Sequence, residues 1–194
     1  MFVKRISDLL FSLIGLILLL PIYIVIILLI KIYMGSPVFF CQQRVGRFGQ
    51  PFTIYKFRTM TVGHGGNSIS IKGENRITPL GSILRKYKLD ELPELWNVLI
   101  GDMSLVGPRP DMPEYYDKLI GEEKKILELR PGITGPASLK YVNEEELLST
   151  VNDPKKFNDE VIWPDKVKIN LDYYYNHTLG LDIKLIIQTI IGFK

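Results

Sequence analysis

The chain has 194 residues, a formal net charge of +3 and a single cysteine. One cysteine excludes an internal disulfide framework, and so small a charge surplus without a nucleic-acid-binding module argues against a nucleic-acid partner. The length suits one apolar segment plus one domain of roughly 160 residues, enough to bury a core of its own.

The apolar segment comes first. Leu9 to Ile30 carries no charge over 22 positions. As a straight helix it would be about 33 Å long, enough to cross a hydrocarbon core. Pro21 lies just past its middle, where a missing N–H and a clash one turn back kink or break a helix. Membrane helices tolerate proline, so a kinked span stays open beside a segment that enters and returns. Lys4 and Arg5 precede the segment, and Lys31, Arg44, Arg47, Lys56 and Arg58 follow it. Cationic flanks prefer the cytoplasmic side, and only a segment that turns back keeps both groups there.

Pro37 to Met60 reads as a β-hairpin. Val38-Phe39-Phe40 and Phe52-Thr53-Ile54-Tyr55 are β-rich, and Gly46 to Pro51 supplies turn residues. Period-two alternation then puts Lys56 and Arg58 on one face at the strand end. Cys41, among Phe39, Phe40 and Gln42, reads as a small packed side chain. Residues 62–75 are polar and glycine-rich and read as a mobile loop. Gly63-His64-Gly65-Gly66 lacks the spacing of a phosphate-cradling loop, and His64 reads as solvated.

Thr78-Pro79 is a helix start, with Thr78 as N-cap and Pro79 in the first position. Leu80, Ile83, Leu84 and Tyr87 follow as an apolar stripe, with Arg85, Lys86 and Lys88 toward the other face and end. Such a basic amphipathic helix suits a solvated face or anionic lipid headgroups equally. A second helix is predicted from about Glu91 to Ile100, with Leu92, Leu95, Trp96 and Leu99 buried, Asp90 as N-cap and Gly101 as the stop. Beyond it, Arg130 to Pro136 is a tight, rigid loop. Lys140 and Tyr141 are candidates for a nucleotide pocket or for the surface. Pro164 to Asn176 reads as helical, with Trp163 and Tyr173-Tyr174-Tyr175 either interfacial or buried together, and His177 as a cap or surface residue. Leu181 to Phe193 is a terminal helix too apolar for free solvent.

Asp90 and Glu91 are the residues with the most chemistry to offer. Their bland reading is a helix cap and a dipole-complementing neighbour. A helix N-terminus attracts anions, but two carboxylates there repel a phosphate unless a divalent cation or nearby Lys and Arg neutralise them. Mg²⁺ fits, because it is usually held by one or two carboxylates plus substrate phosphates. Carboxylates also serve as nucleophiles by forming acyl phosphates. Arg109, between Pro108 and Pro110, sits on a stiff turn suited to a bidentate phosphate grip, and Lys56 and Arg58 are further candidates. Spacing does not show that these cations converge on Asp90.

Several blocks carry a resemblance: Lys4-Arg5 with Asp8, Ser36 to Phe40, Gln43-Arg44-Val45-Gly46, Tyr55 to Met60, Lys88 to Pro110, and Arg130 to Gly135. In this order they resemble the catalytic core of the monotopic phosphoglycosyl transferases, the bacterial sugar transferase family. The resemblance implies an α+β, mostly α fold. Residues 1–35 would form a re-entrant membrane helix broken at Pro21. Residues 36–194 would form a cytosol-facing catalytic domain with a β-hairpin and amphipathic interfacial helices. One departure is Leu20, where the family often has a serine before the breaking proline.

The resemblance also implies a reaction. A nucleotide-diphosphate sugar, usually a UDP-sugar, would donate its phosphosugar to polyprenol phosphate at the lipid bilayer. Asp90 would be the nucleophile and Glu91 a Mg²⁺ ligand or acid/base partner, with both carboxylates near the metal. Lys56 and Arg109 would contact phosphate, with Arg58 and Arg130 as lesser candidates. The implied location is a bacterial inner membrane with the site facing the cytoplasm. A membrane-anchored nucleotide-sugar hydrolase and a non-catalytic lipid-binding scaffold are the competing readings. The sugar, the pathway and any homodimer are left open.

Overall fold

The computed structural model describes residues 2–61 and 76–192. The expected glycine-rich loop, with His64, lies outside the described residues. The chain opens with two apolar helices, α1 (Phe2–Leu18) and α2 (Leu20–Met34), bent by 59° at a break at Leu19. Pro21 falls in the first turn of α2, where its missing N–H costs least. The break therefore sits two residues ahead of the proline. Among the described residues no single helix is long and apolar enough to cross a membrane, although the bent pair together is.

The pair is not bare of protein contacts. Asp8 and Ser12 are buried on α1. The Asp8 carboxylate accepts from Ser104 Oγ at 2.8 Å and from the Leu105 N–H at 3.0 Å. Phe11, Ile17, Leu20, Ile24 and Leu28 stay exposed.

The predicted hairpin forms from β1 (Phe39–Val45) and β2 (Pro51–Phe57), antiparallel, with Phe39 opposite Phe57 and Val45 opposite Pro51. Cys41 is exposed on β1 rather than packed. Because β2 ends at Phe57, Arg58 leaves the alternation and does not share a face with Lys56. Its guanidinium turns back to the Met34 and Gly35 carbonyls and caps the end of α2. Helix α3 (Pro79–Lys86) starts as predicted, with Thr78 Oγ1 accepting from the Gly81 N–H at 2.9 Å. Leu84 is buried, but Ile83 and Tyr87 are about half exposed.

The second predicted helix is shorter and begins differently. Lys88 takes a left-handed conformation (φ 53°) and starts a 3₁₀ turn, Leu89–Glu91. Only then does α4 (Glu94–Ile100) begin, with Pro93 as N-cap and Gly101 (φ 102°) as the predicted stop. Asp90 therefore lies inside that turn and is the N-cap of neither it nor α4. The predicted stripe is also rotated: Glu94, Asn97 and Val98 are buried, whereas Trp96 is 50% exposed. Leu95 faces α1 at Gly15, where an added Cβ would lie 3.2 Å from Leu95 Cδ1.

Asn97 is why α4 turns its polar face inward. Its Nδ2 donates to the Thr53 carbonyl at 2.7 Å, and its Oδ1 accepts from the Tyr55 N–H at 3.1 Å. The side chain thus completes the free edge of β2 and fixes α4 beside the strand that carries Lys56. Asn97→Ala leaves both buried backbone groups unpaired and should cost about 2–4 kcal/mol, read by thermal melting. A loss below about 0.5 kcal/mol would show that water replaces the amide.

Downstream, β3 (Ser104–Val106) pairs in parallel with β4 (Gly132–Thr134). The backbones of Gly107 and Gly132 touch: an added Cβ at Gly132 would lie 2.1 Å from the Gly107 nitrogen. That contact pins the entry to the Pro108-Arg109-Pro110 turn, because the Gly132 N–H also donates to the Pro108 carbonyl at 2.8 Å. Short helices α5 (Pro113–Tyr116), α6 (Pro136–Lys140), α7 (Glu144–Ser149) and α8 (Pro154–Phe157) lead into α9 (Trp163–Asn176) and α10 (Leu179–Ile191). Trp163 packs on Tyr115 and Tyr116, and Tyr173 is buried, while Tyr175 stays half exposed. The aromatic group is thus divided between core and surface. His177 meets the Tyr174 carbonyl at the end of α9. Helix α10 buries Leu185 and exposes Ile183, Ile187 and Ile190. The fold is mostly helical α+β with two small two-stranded sheets.

Candidate active site

Lys56 leaves β2 between two carboxylates. Its ammonium lies 2.8 Å from Glu91 Oε1 and 3.1 Å from Glu94 Oε1. The hydrogen bond goes to Glu91; Glu94 Oε1 is in charge contact without an aligned bond. Arg109, delivered by the Pro-Arg-Pro turn, places Nη2 at 2.8 Å from the same Glu91 Oε1. The Arg109 carbonyl in turn accepts from the Tyr116 hydroxyl at 2.8 Å. One oxygen of Glu91 therefore holds both cations that the spacing could not bring together.

Asp90 differs from its neighbour. It is 8% exposed, and its Oδ1 has no hydrogen-bond partner among the described residues. Burial pushes its carboxyl above the usual range and Glu91 adds to this, while Lys56, Lys88 and Arg85 pull the other way. Burial would raise Glu91 too, but Arg109 and then Lys56 outweigh it and hold this carboxyl well below the usual range. The pair is thus split into a firmly ionised, cation-bound Glu91 and an unpartnered Asp90 of higher basicity. Two neighbouring carboxylates held apart in this way suit different roles. The capping role that a bland reading assigns to Asp90 has no counterpart in the structure.

Glu94, buried and 3.1 Å from Lys56, joins the cluster without standing out in the sequence. Its spacing of three residues from Glu91 and four from Asp90 is the signal that could have found it. Burial, with Glu91 adding, raises its pKa to about 7 despite Lys56. A carboxyl at about 7 when folded and 4.5 as an ordinary side chain binds its proton more tightly in the fold. That stabilisation is complete below pH 4.5 and is lost as the pH rises toward 7. Glu94→Gln should therefore flatten the decline in melting temperature between pH 5 and 8. An unchanged slope would mean that Glu94 is ionised throughout.

Arg58 and Arg130 are not brought to this cluster. Arg58 caps α2, as described. Arg130 donates to the Gly101 carbonyl at 2.8 Å, beyond the far end of α4. There it lines a cavity of about 30 Å³ with Lys4, Arg5, Asp8, Arg47 and His177. Arg5 reaches the Val98 and Leu99 carbonyls at 2.7 and 3.0 Å, so these arginines serve the negative end of the helix. Lys140 and Tyr141 both bond Asp165 Oδ2, at 2.6 and 2.7 Å.

Among the described residues no three metal-ligating side chains cluster into a cage. The site does hold the unpartnered Asp90 Oδ1 beside Glu91. That donor set fits a cation taking one or two carboxylates and completing its shell with phosphate and water.

Comparison with known proteins identifies the family. Residues 1–193 match the family described as bacterial sugar transferase. The uncharacterized sugar transferase EpsL of Bacillus subtilis (strain 168) is 36% identical over 190 residues, covering 98% of this chain and 86% of that protein. The UDP-N-acetylgalactosamine-undecaprenyl-phosphate N-acetylgalactosaminephosphotransferase of Aeromonas hydrophila is 35% identical over 196 residues, 97% of this chain and 43% of that protein. The UDP-glucose:undecaprenyl-phosphate glucose-1-phosphate transferase of Xanthomonas campestris pv. campestris is 37% identical over 196 residues, 97% of this chain and 38% of that protein. The chain thus spans most of the first relative and less than half of the other two. The family match over almost the full length and the 36% identity to a relative of similar length place the chain: it belongs to the bacterial sugar transferase family, whose members are transferases.

Proposed function

We propose that this protein transfers a phosphosugar from a nucleotide-diphosphate sugar, a UDP-sugar by its relatives' names, to polyprenol phosphate. The products are a nucleoside monophosphate and a polyprenol-diphosphate sugar. The observation that carries the reading is the Asp90 carboxylate, buried and unpartnered at Oδ1, beside a Glu91 that grips Lys56 and Arg109. The Aeromonas and Xanthomonas relatives are named for undecaprenyl-phosphate acceptors and UDP-sugar donors, which supports both substrate classes.

In this reading an Asp90 oxygen bonds the β-phosphorus as the bond to the bridging oxygen breaks, and the electron pair leaves with the nucleoside monophosphate. A phosphate oxygen of the lipid acceptor then displaces Asp90 from the same phosphorus and restores the carboxylate. Lys56 and Arg109, held by Glu91, take up the charge that develops on the phosphoryl oxygens. Lys56 and Arg109 offset the charges of Asp90 and Glu91, and Lys88 and Arg85 also act on Asp90. Mg²⁺ held by Asp90 and Glu91 would add positive charge for an incoming diphosphate. The bent α1–α2 pair suits re-entrant insertion in a cytoplasmic membrane, which would keep the site at the headgroup plane where the acceptor phosphate lies.

The test is release of nucleoside monophosphate from a panel of UDP-sugars by nanodisc-held protein with Mg²⁺, with and without polyprenol phosphate. Multiple turnover only with the lipid acceptor is expected. Sustained release without it would make the protein a nucleotide-sugar hydrolase.

A further inference from the structure

The catalytic turn is held from behind by the apolar helix pair. Leu89 and Leu92 flank Asp90-Glu91 and pack with Ile26, Ile30, Phe57 and Leu84 in one cluster. The polar member of this joint is Tyr23, in the first turn of α2 just past Pro21. Its hydroxyl donates to the Leu92 carbonyl at 2.5 Å. Its ring meets Phe57 edge-on, with centroids 5.5 Å apart and planes at 61°. Leu92 follows Glu91 directly, and Phe57 follows Lys56 directly. One side chain therefore touches both arms of the Lys56–Glu91 ion pair, each one residue away from its charged member. At its other end α2 is tied to the same strand through the Arg58 cap.

The backbone gives such a pin a purpose. The 3₁₀ turn stops at Glu91 and α4 starts at Glu94, so Leu92-Pro93 joins two short helical pieces, with helical backbone angles of its own. The Leu92 carbonyl otherwise accepts only a 3.1 Å bond from the Leu95 N–H among the described residues. A second donor from outside this junction fixes the carbonyl's direction and with it the direction of the preceding carboxylates.

The geometry points to Tyr23 as a positioning residue for phosphosugar transfer, linking the seating of the apolar helix pair to the alignment of Asp90 and Glu91. This rests on the reaction proposed above. Tyr23 touches no reacting atom; it acts through the Leu92 carbonyl and the Phe57 ring. Small misplacements of a catalytic group have large rate consequences, and binding of the donor to Lys56 and Arg109 is much less exposed to them.

Tyr23→Phe keeps the ring contact and deletes only the hydroxyl. In nanodiscs it should lower kcat about tenfold, with KM for the nucleotide sugar within about twofold of wild type. Hydrogen–deuterium exchange should quicken in the peptide spanning 88–96 and stay unchanged in β1 and α9. Wild-type kcat together with wild-type exchange in 88–96 would overturn the inference. So would a fall in kcat matched by a fall in folded fraction on thermal melting, which is what a merely structural role gives. Wild-type protein is the control that separates the two proposals. If it turns over no UDP-sugar, the reaction reading fails, and the exchange comparison still decides whether Tyr23 pins the Leu92-Pro93 junction.

Discussion

Asp90→Asn is expected to abolish turnover, by at least about a thousandfold, without harming the fold. Removing a nucleophile from a covalent pathway leaves only the residual effect of the surrounding charges. The stability half of the prediction is the more specific. Asp90 Oδ1 has no hydrogen-bond partner among the described residues, so the amide breaks no bond. Burial and Glu91 both disfavour the charged carboxylate, so a neutral side chain relieves a cost. The melting temperature should stay level or rise by about 2–4 °C, the scale of roughly 1 kcal/mol for a chain of this size. Strained, function-bearing sites show this trade of stability for activity. A clear loss of stability would mean that Asp90 is a structural cap after all.

Glu91→Gln should fail in a different way. Glu91 Oε1 is the shared partner of Lys56 and Arg109, and neutralising it leaves Lys56 with Glu94 alone and takes this ion pair from Arg109. Arg109 is 37% exposed and can rehydrate, so the loss falls below that of a fully buried pair, at about 2 kcal/mol. Turnover should drop about a hundredfold or more, because the phosphate-facing cations lose their fixed placement. The acid side of the stability profile should change as well. Glu91 titrates well below its ordinary value, so its contribution is present above pH 4.5 and is lost as the pH falls toward its folded pKa. Melts of the variant should therefore vary less with pH below 4.5. Wild-type turnover in Glu91→Gln would show that the cations are placed by something else.

Much of the local structure was legible in the sequence because it follows from short-range rules. Thr78-Pro79 starts a helix, Gly101 stops one, and the β-rich runs around Gly46 to Pro51 make a hairpin. Asp90, Glu91, Lys56 and Arg109 stood out by residue type and resemblance, but their meeting depends on tertiary devices that no spacing reveals. Asn97 docks α4 on the edge of β2, and the Gly107–Gly132 contact aims Arg109. Arg58 illustrates the reverse error. Period-two alternation carries it one residue beyond the true end of β2, whereas its guanidinium lies at the end of α2. The pattern offers Asp90 as a cap because it precedes an apolar run, beside the nucleophile role that the resemblance implies. The left-handed Lys88 and the separate 3₁₀ turn, neither of them visible in the pattern, change that assignment. Size and apolarity predict Trp96 inside, whereas the buried face of α4 is set by Glu94 and Asn97.

The most direct test of the account is the intact mass of the protein after mixing with Mg²⁺ and UDP-sugars in the absence of any lipid acceptor. The account predicts a mass gain of one phosphosugar on wild-type protein, absent in Asp90→Asn and discharged when polyprenol phosphate is added. Unchanged mass with a donor that supports lipid-dependent turnover would contradict it and assign the reaction to direct transfer between the two substrates.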